Sequence, residues 1–230
     1  LFLIFIRDPA RPLMFSGAFL ALVYVATSRL SIVGVGATLF LGGAAYLGNT
    51  VSHVQSRFDT WLDPFDPVLY ESTGGSFQIP QSLFAQPDGG LFGQGFGQAR
   101  LELPGGGTIL PAAHTDLIYA VIADELGLFG AAGLILIYLL FCARGFKTPL
   151  VASDGFSKLL ATGLTAVLAL QVFVIVGGVT KVIPLTGVTL PFVSYGGSSI
   201  LANMVLLALL LIVSDHARRD RDRVGPGGLV

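Results

Sequence analysis

The sequence predicts an all-α fold: a polytopic transmembrane helical bundle with five full spans, one partial span, a large extracellular loop and a re-entrant segment before the last span. Three observations carry this expectation. The chain of 230 residues is 53% hydrophobic and only 12% charged, a composition rare among soluble domains. Its apolar residues fall in runs near the length of about 17–25 residues that crosses a bilayer. Late in the chain a stretch rich in Pro and Gly interrupts this pattern, and irregular backbone at membrane depth survives only against protein or water.

The opening LFLIFI reads as the tail of a helix, a partial span. With no initiator Met, the chain is expected to be a fragment lacking its N-terminal part. The full spans are expected at Pro12 to Ser28, Ile32 to Val51, Leu117 to Cys142, Phe156 to Thr180 and Ser198 to Val213. Pro12 suits a first helical turn, and the glycines inside the spans suit close helix packing. The organisation is therefore one membrane domain. Residues 1–51 hold the partial span and two helices, and 52–116 the large loop. Residues 117–213 hold three helices with the broken re-entrant segment, and 214–230 a cytoplasmic tail. The single cysteine, Cys142, excludes a disulfide framework. The three histidines, His53, His114 and His216, are too scattered for a zinc site.

Basic residues favour the cytoplasmic side. With the C-terminal tail inside, the inner face collects Arg29, Arg144, Lys147, Lys158, Arg218, Arg219, Arg221 and Arg223. Arg7, Arg11, Arg57, Arg100 and Lys181 fall outside, a bias of eight to five. The tail beyond Asp220 is expected to be disordered.

The loop from Ser52 to Thr115 is too long for a simple connection. Its first part, RFDTWLDPFDP, carries Phe58, Trp61 and Phe65, suited to the headgroup level. FQIPQSLF is expected to form a short interfacial helix that Pro80 interrupts. GGLFGQGFGQ has G-x-G-x-G spacing, but no strand precedes it. A tight glycine turn against the membrane surface is expected there, not a dinucleotide site.

Two stretches carry candidate chemistry. In LPAAHTDLIYAVIADELGLFG, the triplet His114-Thr115-Asp116 precedes a long apolar helix. Thr115 or Asp116 can cap that helix, or Asp116 can act as a base at its mouth; the residues alone leave both open. Asp124 and Glu125 follow about two turns further along, at about 3.6 residues per turn. Carboxylates at that depth face a protein interior or a wet cavity. Asp124 reads as a buried contact between helices, and Glu125 as either such a contact or a lining group. In IPLTGVTLPFVSYGGSSILAN, Pro184, Pro191 and three glycines exclude one smooth helix. The N–H groups around Tyr195, Gly196, Gly197 and Ser198, at a helix start, form either an anion site or a turn packed for structural reasons.

Taken together and in this order, these motifs resemble the SEDS (shape, elongation, division and sporulation) family of RodA-, FtsW- and SpoVE-like proteins. The resemblance rests on WLDPF, the QSLF and GGLFGQGFGQ run, AHTDLIYAVIADELGLFG and IPLTGVTLPFVSYGGSS. It runs over nearly the whole chain, which looks like the C-terminal half of a ten-span protein. It implies a peptidoglycan glycosyltransferase that polymerises lipid II in the bacterial cytoplasmic (inner) membrane, with an outward-facing site. It implies Asp116 as the catalytic residue. Asp63, Ser194, Tyr195, Gly196, Gly197 and Ser198 are carried over as cavity or structural positions. It also implies a class B penicillin-binding protein, a transpeptidase, as partner, and no nucleic acid. The chain departs from the family at Ile175, where asparagine is usual, at Pro80 in IPQS, at Ala112, and in RDPARP near its start.

The implied reaction moves a glycan from one lipid-linked diphosphate to a sugar hydroxyl of another. Asp116 would accept the hydroxyl proton. The diphosphate leaving group calls for cations or aimed N–H groups. The outward basic residues supply these, with Arg57, Arg100 and Lys181 joining His114, Thr115, Glu125 and Ser194 as candidate substrate contacts. A divalent cation, Mg or Mn, could share this work, but no ligand cluster marks its site. Two rivals use the same features: a flippase for lipid-linked precursors, which needs no base, and a non-catalytic scaffold for a transpeptidase.

Overall fold

A computed structural model describes residues 10–50, 52–66, 78–99, 113–152 and 154–224. Arg7 and Arg100 lie outside them, as does Ala112. Among the described residues seven helices follow in order: α1 (Ala10–Thr27), α2 (Leu30–Thr50), α3 (Ser52–Leu62), α4 (Gln78–Asp88), α5 (Ile118–Val151), α6 (Gly155–Val179) and α7 (Gly197–Val224). Among the described residues there is no strand. The expected all-helical class holds. Stretches of α5, α6 and α7 are long and apolar enough to cross a membrane, and α1 and α2 contain shorter apolar stretches.

Helix α6 is the hub, packing against α1, α5 and α7. Small residues let the backbones approach, as packing in lipid requires. A side chain at Gly145 of α5 would meet Thr165 of α6 at 2.5 Å, and one at Gly17 of α1 would meet Leu170 at 2.7 Å. Leu168, Val174 and Ile175 of α6 are fully buried. Ile175, where the family usually has asparagine, packs with Tyr138 and Leu190. Helix α6 starts at an N-cap, Asp154, whose side chain accepts from the Ser157 backbone N–H at 2.7 Å. That bond holds the Asp154 carboxyl below its ordinary value of 3.8. The cap therefore stabilises fully above that value and is lost as pH falls through the lowered one. Asp154→Asn, also a good cap, is expected to remove this pH dependence of the thermal midpoint without lowering it at neutral pH.

Several expected boundaries need correction. Helix α7 runs on to Val224 through the charged segment expected to be disordered beyond Asp220. Opposite charges at helical spacing support it, with Arg219 on Asp215 at 2.8 Å. Pro80 does not interrupt the loop helix. It sits in the first turn of α4, where its missing N–H costs nothing. The third expected span, Leu117 to Cys142, continues as α5 to Val151 and is not one smooth helix.

Gly127 has φ 66° and ψ −169°, so it splits α5 into a leading segment, 118–126, and a longer following one. The glycine turn at 89–95 fills the break. Gln94 and Gly95 donate their backbone N–H groups to the carbonyls of Asp124 and Glu125, at 2.9 and 3.0 Å. Leu128 and Phe129 in turn donate to the carbonyls of Gly90 and Leu91, at 2.9 and 3.2 Å. The groups left without helical partners by the break are thus paired with the turn, as buried backbone demands. The turn is therefore not merely lying on a surface. The approach excludes side chains: a Cβ at Gly89 would meet the Ala123 carbonyl at 2.1 Å, and one at Gly93 the Glu125 carbonyl at 2.1 Å. Gly93→Ala, which also has φ +83° to accommodate, is expected to destabilise by more than about 1 kcal/mol. A lowered thermal midpoint of the detergent-solubilised protein would register it.

Candidate functional site around Asp116

The end of the bundle where α5 and α7 begin and α6 ends brings the candidate residues together. After Val179 the chain leaves α6 and crosses as irregular backbone through residues 181–196 before α7 starts. This irregular backbone lies where the re-entrant segment is expected, and it is bound by polar groups from three helices. Tyr138 of α5 donates its hydroxyl to the Pro191 carbonyl. Gln171 of α6 donates to the Thr189 carbonyl at 2.9 Å. The Thr189 hydroxyl pairs with that of Ser199 at the start of α7, at 2.6 Å. Leu190 and Pro191 are fully buried. The sequence reading missed Tyr138, Gln171 and Ser199. Gln171, a polar residue in an apolar run, was the available signal.

The His114-Thr115-Asp116 triplet is tied directly to this segment. Tyr195 donates its backbone N–H to the His114 carbonyl at 2.8 Å. The Ser194 hydroxyl donates to the Thr115 carbonyl at 2.6 Å and accepts from the Leu190 N–H at 2.7 Å. Ser194 is 1% exposed, so it braces the backbone and does not present a hydroxyl to a ligand. The Tyr195 N–H is likewise already engaged, which removes it from the expected anion site; Gly197 and Ser198 are exposed there, and Gly196 is half-buried. The Tyr195 side chain is 78% exposed. His114 is exposed, and Thr115 and Asp116 are half-buried.

Helix α5 is preceded by Leu117 at its N-cap position, an apolar side chain that makes no cap hydrogen bond of its own. Asp116 lies against Gly187, where an added Cβ would stand 3.3 Å from its Oδ2. The absence of a side chain at 187 lets the re-entrant backbone approach the carboxylate closely. Gly187 also escaped the sequence reading, which took it only as a helix breaker.

Two basic residues reach the same region from the large loop and from the end of α6. Arg57 of α3 donates to the Leu185 carbonyl at 3.0 Å, two residues from Gly187. Lys181 has φ 60°, and its ammonium reaches the Leu62 carbonyl at 3.5 Å. Trp61 returns the contact by donating to the Lys181 carbonyl at 3.0 Å. Gln86 of α4 donates to the Val179 carbonyl at 3.0 Å. The loop helices thus satisfy carbonyls at the end of α6 while placing cations near the negative end of its dipole. Arg11 lies in α1, and its side chain is outside the described set. Asp63, at the end of α3, is exposed.

Asp124 is buried, at 5% exposed. Glu125 is half-buried, and its carbonyl is held by the glycine turn. Among the described residues, no group of three or more His, Cys, Asp or Glu side chains is placed to hold a metal ion.

The architecture defines a membrane protein in which a re-entrant segment closes on a carboxylate at the mouth of a broken helix. The chain belongs to the family described as cell cycle protein, FTSW_RODA_SPOVE, whose model matches residues 1–219. It is 45% identical over 218 residues to peptidoglycan glycosyltransferase RodA of Mycobacterium tuberculosis (strain ATCC 25618 / H37Rv), covering 94% of this chain and 44% of that protein. It is 35% identical over 202 residues to stage V sporulation protein E of Bacillus subtilis (strain 168), covering 88% of this chain and 53% of the relative. A solved structure described as "Structural coordination of polymerization and crosslinking by a peptidoglycan synthase complex" matches with a TM-score of 0.65 and 28% identity. That match covers 89% of this chain and 55% of the other. The chain spans about half the length of the curated relatives it matches.

Proposed function

We propose that the complete protein is a peptidoglycan glycosyltransferase that polymerises lipid II into glycan strands, with Asp116 as general base. The observation that carries this reading is the position of Asp116. It is half-buried, abutted by Gly187 of the re-entrant segment, and preceded by a backbone that Ser194 and Tyr195 fix in place. A carboxylate so held can accept the proton of an acceptor sugar hydroxyl as that oxygen attacks the anomeric carbon. The bond from that carbon to the lipid diphosphate breaks, and the diphosphate leaves with the electron pair. Cations of Arg57 and Lys181, at the same end of the bundle, favour the anionic leaving group.

In this reading the Asp116 end faces outward from the bacterial cytoplasmic membrane, and the large loop with α3 and α4 is extracellular. A class B penicillin-binding protein is the partner that crosslinks the strands. The RodA relative is named a peptidoglycan glycosyltransferase, which supports the activity. The matching structure comes from a synthase complex that couples polymerization to crosslinking, which supports the partner. The broken helix and re-entrant segment also suit a lipid-precursor transporter. Polymerisation of lipid II by the complete gene product, wild type against Asp116→Asn, tests the base. An equally active and equally stable variant would remove Asp116 from the chemistry.

A further inference from the structure

We propose that the glycine turn at 89–95 is a positioning element for Asp116, acting through the break in α5. The inference rests on the general-base reading above. The leading segment of α5, 118–126, carries Asp116 just ahead of it and makes about two and a half turns at about 3.6 residues per turn. A helix that short does not hold itself, since isolated helices below about 12–15 residues are marginal. It is clamped at both ends instead. At the start, Tyr195 and the Ser194 hydroxyl hold the carbonyls of His114 and Thr115. At the finish, Gln94 and Gly95 of the turn hold the carbonyls of Asp124 and Glu125.

The two clamps come from different parts of the chain, and the second exists only because α5 is broken. Leu128 and Phe129 donate to Gly90 and Leu91; in a continuous helix they would donate to Asp124 and Glu125, four residues back. The same carbonyls and N–H groups therefore have two complete sets of partners. With the turn docked, α5 is bent at Gly127, whose φ of 66° favours glycine. With the turn withdrawn, α5 satisfies itself as one straight helix. Straightening redirects the leading segment and with it the backbone that presents Asp116 to Gly187. The turn thus sets the direction of the backbone that presents the carboxylate.

Gly127→Ala in the complete gene product tests this, because alanine disfavours the bend and favours the straight helix. Spin labels at Ile122→Cys and Ala143→Cys, in a Cys142→Ser background, read the bend as a distance. The expected result is a distance several ångströms longer in Gly127→Ala. With it, kcat for polymerisation falls at least tenfold while KM for lipid II stays within about threefold. Gly133→Ala, in the following segment of α5, where an added Cβ meets nothing within 4 Å and φ is not positive, should keep both the distance and kcat near wild type. An unchanged distance, or a lengthened distance with wild-type kcat, overturns the proposal. If Gly127→Ala does not accumulate in membranes, hydrogen exchange on the wild type decides. Slow exchange at Gln94 and Gly95, whose N–H groups have these partners only in the docked state, supports the docked turn, and exchange as fast as in a free loop overturns it. A wild-type protein that polymerises nothing would sink the proposed function, while the distances and exchange rates would still read the latch.

Discussion

Asp116→Asn in the complete gene product is expected to lower the initial rate of glycan polymerisation by roughly 10²–10⁴-fold, the usual contribution of a positioned base. The substitution keeps the shape of the side chain and removes its ability to take a proton. The backbone ahead of it is held by Tyr195 and Ser194 through the carbonyls of His114 and Thr115, and the variant keeps both of those bonds. Binding of the lipid-linked substrate should therefore change much less than turnover. A thermal midpoint close to wild type with the rate lost is the expected pattern. A drop in midpoint equal in scale to the loss of rate would instead make the carboxylate a structural brace.

Ser194→Ala is expected to have the second largest effect, and a different one. Its hydroxyl donates to the Thr115 carbonyl and accepts from the Leu190 N–H, in a setting 1% exposed. Alanine leaves both backbone groups without that partner, and an unsatisfied buried group costs about 1–3 kcal/mol. Stability should fall, as a lower midpoint in detergent. Activity should fall with it, since Thr115 is the neighbour of Asp116 and each 1.4 kcal/mol or so of lost transition-state stabilisation is about tenfold in rate. Unchanged midpoint and rate together would contradict the brace. The two variants thus separate the residue proposed to do chemistry from the one that holds it in place.

Much of this site was legible before any coordinates. The apolar runs gave the long helices, because membrane spans advertise themselves by composition over many residues. The triplet ending in Asp116 and the stretch ending in Gly197 stood out as polar or irregular where apolar helix was expected, and the structure joins them through Ser194 and Tyr195. The break at Gly127 was not legible. One glycine in an apolar helix ordinarily signals close packing, and its positive φ depends on partners from a turn more than thirty positions earlier in the numbering. Backbone hydrogen bonds between distant segments leave little trace in side-chain identity. Here the trace was negative: the repeated glycines mark where no side chain fits. The charged end of α7 was misread for a related reason, since a charge run looks solvated whether or not it is helical. Gly187 shows the same limit at the site itself, because a residue that contributes only space carries no chemical signature.

The most direct test of the central claim follows two products of one reaction mixture. The purified complete protein, reconstituted in vesicles with lipid II, is assayed for glycan strands on a gel and for lipid II crossing the bilayer. The account predicts strands from wild-type protein and none above background from Asp116→Asn. Translocation of lipid II with no strands, unaffected by Asp116→Asn, would contradict it and make the protein a transporter.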